Sequence, residues 1–320
     1  MTDSGRGAVV VGVDRLEEGR AALAWAAREA ARRDVAVRVV HAAAHSADLL
    51  DAGYSSAVLD EVDAGARAGL EAAAEVARAA GAPHVEVRLV HDQPRRALLA
   101  EAAGAALVVT GARRRRGLRT LGALELGSTS LFLASHAPVP TALVRTLPPA
   151  GGPVAGVVVG HDGSGHADAA LRWAAGYAAE AGVELTVVAV WHPPFAVAAT
   201  PYGLDVPDWT QTLRVVEDAA AERLEAAVEA VRAQQPGLPV AHRLVRDESA
   251  AEALLAAADG SRLLVTGTRG RGAFAAALLG SVSHAVLHRA GGPVVVVPQP
   301  PGRDLGPEPG RSAAGTGPQG

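Results

Sequence analysis

Leu263-Leu264-Val265-Thr266-Gly267-Thr268-Arg269-Gly270, followed nine residues later by Gly280-Ser281-Val282-Ser283, is the stretch on which the reading of this chain turns. A short apolar run bounded by turn residues suits a strand buried on both faces. Gly280-Ser281 then opens a run to about Arg289 that reads as a helix. Strand, glycine-rich loop and helix start together make a place for an anion. Glycine lets the backbone take positive φ and approach a ligand with no Cβ in the way. A helix start offers unpaired N–H groups and the positive end of its dipole. Ser281 and Ser283 can add hydroxyls, and Arg269 and Arg271 can meet phosphate bidentately. The plain alternative is a flexible loop with a serine N-cap. Glycine spacing alone does not separate the two; a position after the fourth strand of a parallel sheet favours the anion.

The sheet follows from the surrounding sequence. Val154–His161 reads as a first strand ending at Asp162-Gly163-Ser164, and Leu185–Trp191 as a second. A helix is expected over Thr210–Gln234, closed by Pro236-Gly237. Val240–Val245 is a third strand, Ala250–Ala258 a helix, Arg262–Thr266 the fourth strand and Val294–Val297 the last. Alternating strands and helices predict a parallel sheet with helices on both faces and right-handed crossovers. Ligands in such sheets sit beyond the carboxyl ends of the strands, where strand order reverses. Asp162 ends the first strand there. It can accept hydrogen bonds from a ligand or simply cap a turn, and the residue type leaves both readings open.

The same pattern occurs earlier in the chain. Val11-Gly12-Val13-Asp14 recurs as Val159-Gly160-His161-Asp162, and Ala21–Ala27 as Ala169–Ala175. Leu107-Val108-Val109-Thr110-Gly111 matches Leu263–Gly267, and Gly127-Ser128 matches Gly280-Ser281. A period this long means duplicated domains. The expected units are 1–147 and 152–298, with a Pro- and Gly-rich break near Thr146–Pro153. The tail, 299–320, has the composition of a disordered segment. Strands of the first unit are expected near Ala8–Val13, Val35–His41, Val85–Val90, Ala105–Thr110 and Thr141–Val144.

Composition narrows the chemistry. The chain has no cysteine, which excludes disulfides, thiolate catalysis and Cys–zinc sites. It also has no lysine, so a Walker-type loop and side-chain Schiff bases are excluded. A net charge of −4 gives no reason to expect nucleic acid or an anionic membrane as partner. The N-terminal residues lack a signal-peptide pattern, and no apolar run has the length of a membrane helix. The expectation is a soluble, cytoplasmic protein.

The second half resembles a universal stress protein domain over nearly its whole length. ATP-binding members show Gly-x2-Gly-x9-Gly-Ser/Thr, and Gly267, Gly270, Gly280 and Ser281 match it in full. The resemblance implies adenine and ribose contacts from Asp162 and Val190, and triphosphate contacts from Val282 and Ser283. The ligand it implies is ATP, with or without Mg, in a non-catalytic regulator of stress or dormancy responses.

The first half resembles the same family but departs at the loop, where five residues, Ala112 and Arg113–Arg116, separate Gly111 from Gly117. Asp14, Ala42, Gly111, Gly117, Gly127 and Ser128 occupy the family positions. The arginine run can grip phosphate or face solvent or a partner; the latter is the reading favoured here, because charge runs are usually solvated. Tighter nucleotide binding is therefore expected in the second half. Domains of this family resemble one another in pairing through the last strand. Thr141–Val144 and Val294–Val297 would otherwise be bare apolar edges, and the eight-residue linker spans at most about 26–29 Å. An intramolecular pseudo-dimer is expected, with a homodimer of chains allowed and the signalling partner unassigned.

Other constellations do not assemble. His284 and His288 stand four apart on a helix but lack a third metal ligand. Glu217, Asp218, Glu222 and Arg223 read as a solvated helix face. Neither first-strand segment fits the Ser-Gly-Gly-x-Asp-Ser pattern of ATP pyrophosphatases or the His-x-Gly-His of nucleotidyl transferases. With no positioned base or nucleophile, turnover is poorly supported. Two rivals to simple ATP binding remain: a slow ATPase or self-phosphorylating protein with Ser281 or Ser283 as acceptor, and a nucleotide-free interaction module.

Overall fold

The computed structural model describes residues 7–14, 16–43, 55–114, 124–147, 156–193, 209–271 and 279–300. In the first half, strands β1 (Val9–Gly12), β2 (Ala36–Ala42), β3 (His84–Val90), β4 (Leu107–Gly111) and β7 (Thr141–Val144) alternate with helices. These are α1 (Leu16–Arg33), α2 (Ser56–Ala79), α3 (Pro94–Ala102) and α4 (Ser128–His136). The second half repeats the order with β8 (Val157–Gly160), β9 (Leu185–Trp191), β10 (Val240–Arg246), β11 (Leu263–Gly267) and β12 (Val294–Val297). Its helices are α5 (Gly165–Ala181), α6 (Trp209–Gln234), α7 (Ala250–Ala257) and α8 (Ser281–Arg289).

Local chemistry explains the boundaries. Ser164 caps α5, its Oγ accepting from the Ala167 N–H at 3.2 Å. Gly182 ends the same helix in the left-handed region, with φ 63°. Ser249 caps α7 by accepting from the Glu252 N–H. The central strands are nearly pure valine and leucine because both faces are covered. Along β12, Val295 and Val297 pack on the face that carries α1 and α5, whereas Val294 and Val296 pack on the face that carries α7 and α8.

All ten long strands form one sheet, in the order β10-β9-β8-β11-β12-β7-β4-β1-β2-β3. Each half is a doubly wound five-stranded parallel sheet. The halves join where β12 runs antiparallel to β7, with Val295 opposite Ala142. Most strand charges lie at the two outer edges: β3 carries Glu86 and Arg88, with Glu86 paired to Arg38 of β2, and β10 carries Arg243 and Arg246. Every residue of β7 and β12 is buried. Burying a valine contributes about 1.5–3 kcal/mol, so this seam holds the halves together.

Most strand and helix ends lie within two residues of the sequence reading, and two places differ more. The first strand of the second half is shorter, Val157–Gly160, and residues 154 and 155 lie outside the described residues. The arginine run begins as a strand: Arg113–Arg114 (β5) pairs antiparallel with Leu124–Glu125 (β6) in a small separate ladder. Arg115, Arg116 and Gly117 lie outside the described residues. No described helix is long and apolar enough to cross a membrane.

Candidate functional site

The carboxyl ends of β8 and β11, where strand order reverses, open into a cavity of about 640 Å³. Asp162, Val190, Gly267, Gly270, Gly280, Ser281, Val282 and Ser283 all line it, as do Arg269 and Arg271. The topology thus gathers every residue that the second-half motif singled out.

Asp162 combines the two ends of the site. Its Oδ1 accepts from the Ser164 N–H at 3.0 Å, which is the turn-capping role. Its Oδ2 accepts from the Arg271 N–H at 2.8 Å, which ties the glycine-rich loop to the first-strand turn. That tie explains the glycines by space. A Cβ on Gly270 would stand 2.5 Å from Asp162 Oδ2, and one on Gly267 would stand 2.7 Å from the His166 carbonyl oxygen. Positive φ, expected of the loop glycines, is not what they supply; that backbone belongs to Gly163, at φ 82°.

The loop closes on α8. Thr268 O accepts from the Gly280 N–H at 2.7 Å and from the Ser283 hydroxyl at 2.9 Å. Ser283 is buried, and among the described residues its hydroxyl donates to Thr268 O and Gly280 O. Gly280 caps α8 with no side-chain acceptor, and the first intrahelical bond is the His284 N–H to Gly280 O. The N–H groups of Ser281, Val282 and Ser283 therefore have no acceptor within the helix. Ser281 itself is exposed.

Electrostatics favour an anion. Arg223, Arg269 and Arg271 line the cavity, and Asp162 is the one carboxylate among its described lining residues. Arg223 is held below its ordinary pKa by burial and by the nearby Arg271, with Asp162 opposing. His166 lies under the loop. Its Nδ1 is 2.8 Å from Thr268 Oγ1, and its Nε2 accepts from Arg269 Nε at 3.1 Å. Accepting there requires neutral imidazole with the proton on Nδ1. Burial and then the Arg269 charge lower the His166 pKa, which agrees with that form.

Arg223 is exposed, as the sequence reading had it, and it also lines the cavity, which that reading did not foresee. The signal was present: Val216, Ala220 and Arg223 stand at helical spacing on one side of α6, and all three reach the cavity. His166, Thr268 and Trp191 were missed as well, because none belongs to the glycine pattern.

The equivalent crevice in the first half, between β1 and β4, holds about 100 Å³. Asp14, Ala42, Gly111, Gly127 and Ser128 line it, whereas Gly117 lies outside the described residues. Ser130 Oγ donates to Gly111 O at 3.4 Å, a carbonyl one place earlier in the repeat than the one Ser283 uses. The rings of His284 and His288 lie 4.4 Å apart and tilted, and no group of three metal-ligating side chains occurs among the described residues.

Comparison with known proteins agrees with this architecture. The profile of the universal stress protein family matches residues 6–145 and again residues 156–298. A universal stress protein of Mycolicibacterium smegmatis is 34% identical over 303 residues, covering 90% of this chain and 96% of that protein. One from Mycobacterium tuberculosis is 35% identical over 304 residues, covering 91% and 97%. Among solved structures, a universal stress protein from Archaeoglobus fulgidus superposes with a TM-score of 0.61 at 22% identity, over 91% of this chain and 96% of that one. A likeness at that identity speaks to the fold.

Proposed function

The chain belongs to the universal stress protein family, and on that premise we propose that its second half binds ATP as a non-catalytic regulator of a stress or dormancy response. The observation that carries the proposal is the 640 Å³ cavity at the β8/β11 crevice, bounded by the glycine-rich loop. Its size falls within the roughly 300–1,000 Å³ of small-molecule sites; the 100 Å³ crevice of the first half does not.

Each part of the cavity suits one part of the ligand. The apolar wall from Val188, Val190, Val216 and Ala220 suits a purine. Asp162, at the mouth, suits ribose or base donors. The α8 N–H groups suit phosphate oxygens, and the three arginines suit the charge of a triphosphate. Those guanidiniums supply cationic partners themselves, whether or not magnesium accompanies the nucleotide.

Turnover has little to work with. The Ser283 hydroxyl is committed to backbone carbonyls, which leaves Ser281 as the acceptor that a self-phosphorylation reading would need. Incubation with labelled ATP tests that reading directly. Mass spectrometry of nucleotide released on denaturing the purified protein tests the proposal itself. Adenine nucleotide at close to one per chain is expected; protein that carries none and takes up none in titration would point to a nucleotide-free interaction module.

A further inference from the structure

The seam between the halves has a pseudo-twofold axis, and the sheet register locates it. Ala142 pairs with Val109 in the first half, and Val295 with Val265 in the second. Val109 and Val265 hold the same place in the repeat, so Ala142 and Val295 are equivalent positions. They also face each other across the seam, with Leu143 opposite Val294 and Thr141 opposite Val296 on either side. The axis therefore passes through the Ala142–Val295 pair, perpendicular to the sheet.

Next to that axis, on the face that carries α1 and α5, equivalent positions meet again. The Tyr177 hydroxyl donates to Glu29 Oε1 at 2.6 Å, across a separation of 148 residues. Arg32 NH1 donates to Glu180 Oε2 at 2.7 Å, across the same separation. That spacing is the repeat offset, as Trp25 and Trp173 show in matching segments. Each position thus meets its own counterpart, and in both cases the two copies differ: glutamate against tyrosine, arginine against glutamate. Glu29 is 1% exposed and is the one buried carboxylate among the described residues. It also accepts from Arg32 NH2 at 2.8 Å, while Arg262 Nε donates to the Tyr177 oxygen at 3.2 Å.

A symmetric pairing of two first halves would bring Glu29 against Glu29 and Arg32 against Arg32. Two second halves would bring Tyr177 against Tyr177 and Glu180 against Glu180. Two carboxylates at the buried Glu29 position are costly, as is a buried carboxylate that loses its partner, while like charges at the exposed Arg32–Glu180 position add a smaller penalty. We propose that the Glu29–Tyr177 and Arg32–Glu180 pairs form a pairing code: the first-half surface accepts only a second-half-type domain and rejects a copy of itself. The partner that fits is a domain of this fold presenting tyrosine and glutamate at these two positions. The code keeps the seam heterotypic, so each particle contains one large and one small crevice.

The axis supplies the test, because transposing a pair across it leaves the pairing intact. In the full chain, Tyr177→Glu sets a second carboxylate against Glu29, and Glu29→Tyr sets two phenols together. Each single variant is expected to lower the unfolding midpoint by about 5 °C or more and to enlarge the radius of gyration from small-angle scattering. The double variant Glu29→Tyr/Tyr177→Glu restores the pair in mirror orientation, with Arg32 and Arg262 beside the moved carboxylate. Recovery of at least half the lost midpoint, with return to wild-type dimensions, is expected. A double variant that loses the sum of the two singles, or fails to fold, overturns the proposal. So do single variants as stable and compact as the wild type.

Discussion

The crevice between β8 and β11 encloses about 640 Å³, and the crevice at the same place between β1 and β4 about 100 Å³. The strands that frame them have the same order and register, so the sheet is not the source of the difference. Side chains on the surrounding loops and helices differ between the halves. Gly163, with positive φ, follows Asp162, whereas in the first-half sequence Asp14 is followed by Arg15, which lies outside the described residues. Thr268, bonded to His166, stands where the first half has Ala112, which has no hydroxyl. The buried positions Leu224, Ala227, Val228 and Val231 of α6 repeat as Leu70, Ala73, Ala74 and Ala77 of α2, which sets Arg223 opposite Gly69. A duplicated fold has kept its frame and let one site diverge, as expected when function resides in groups grafted on a fold.

The largest contrast is expected at the loop glycines. A Cβ on Gly280 would lie 3.3 Å from Arg269 Cα and 3.5 Å from Thr268 O, and a carboxylate there would also face the ligand's phosphates. Gly280→Asp should weaken ATP binding at least tenfold, about 1.4 kcal/mol. The matching Gly127→Asp, whose Cβ meets only Ser130 Oγ, at 3.8 Å, among the described residues, should change total ATP affinity by less than about twofold. Calorimetry in which both variants lose equally would erase the distinction between the halves.

The halves also differ beyond the last strand. Arg145 follows β7 and donates through NH1 to Ala290 O at 2.9 Å and through NH2 to Leu287 O. Those are carbonyls at the C-terminal end of α8, where a cation suits the helix dipole; after β12 the chain has Pro298 instead. Arg145→Ala should lower stability by about 1–2 kcal/mol, whereas Pro298→Ala should change it little. Denaturant unfolding measures both, and equal losses would remove this asymmetry.

Arg223→Ala sharpens the comparison chemically. Loss of one guanidinium should weaken ATP about fivefold, roughly 1 kcal/mol, and leave adenosine binding almost unchanged. Equal losses for the two ligands would mean that Arg223 shapes the cavity and does not meet phosphate.

The smallest expected effect is one of pH. His166 has a lowered pKa in the folded state, so the unfolded chain binds its proton first as the pH falls. Its contribution is fully present above the unfolded value of about 6.5 and is lost as pH falls through the lower folded value. Protonation also removes the acceptor that Arg269 uses. Wild type should therefore lose more stability between pH 7.5 and 5 than His166→Gln, and parallel pH profiles would count against this role.

Much of this was legible in the sequence, for reasons that particular residues make plain. Valine runs bounded by glycine and proline mark buried strands, so β9 and β12 were read at their observed bounds. The glycine spacing pointed to one cavity because those glycines are needed locally, where the loop presses on Asp162 and His166. The place of Arg223 beside the cavity was hidden because an exposed helix face does not show which crevice it borders until the sheet is assembled. The internal bond of the Ser283 hydroxyl was not legible because its partner, Thr268 O, is backbone and carries no side-chain signal. The Glu29–Tyr177 contact escaped because it depends on the register of the seam, which pairwise self-similarity does not specify.

Calorimetric titration of the full chain, first stripped of any co-purified nucleotide, decides whether one of the two crevices binds ATP. A single tight site per chain is expected, lost in Gly280→Asp and kept in Gly127→Asp. Two sites of equal affinity, or a tight site that survives Gly280→Asp, would contradict that expectation.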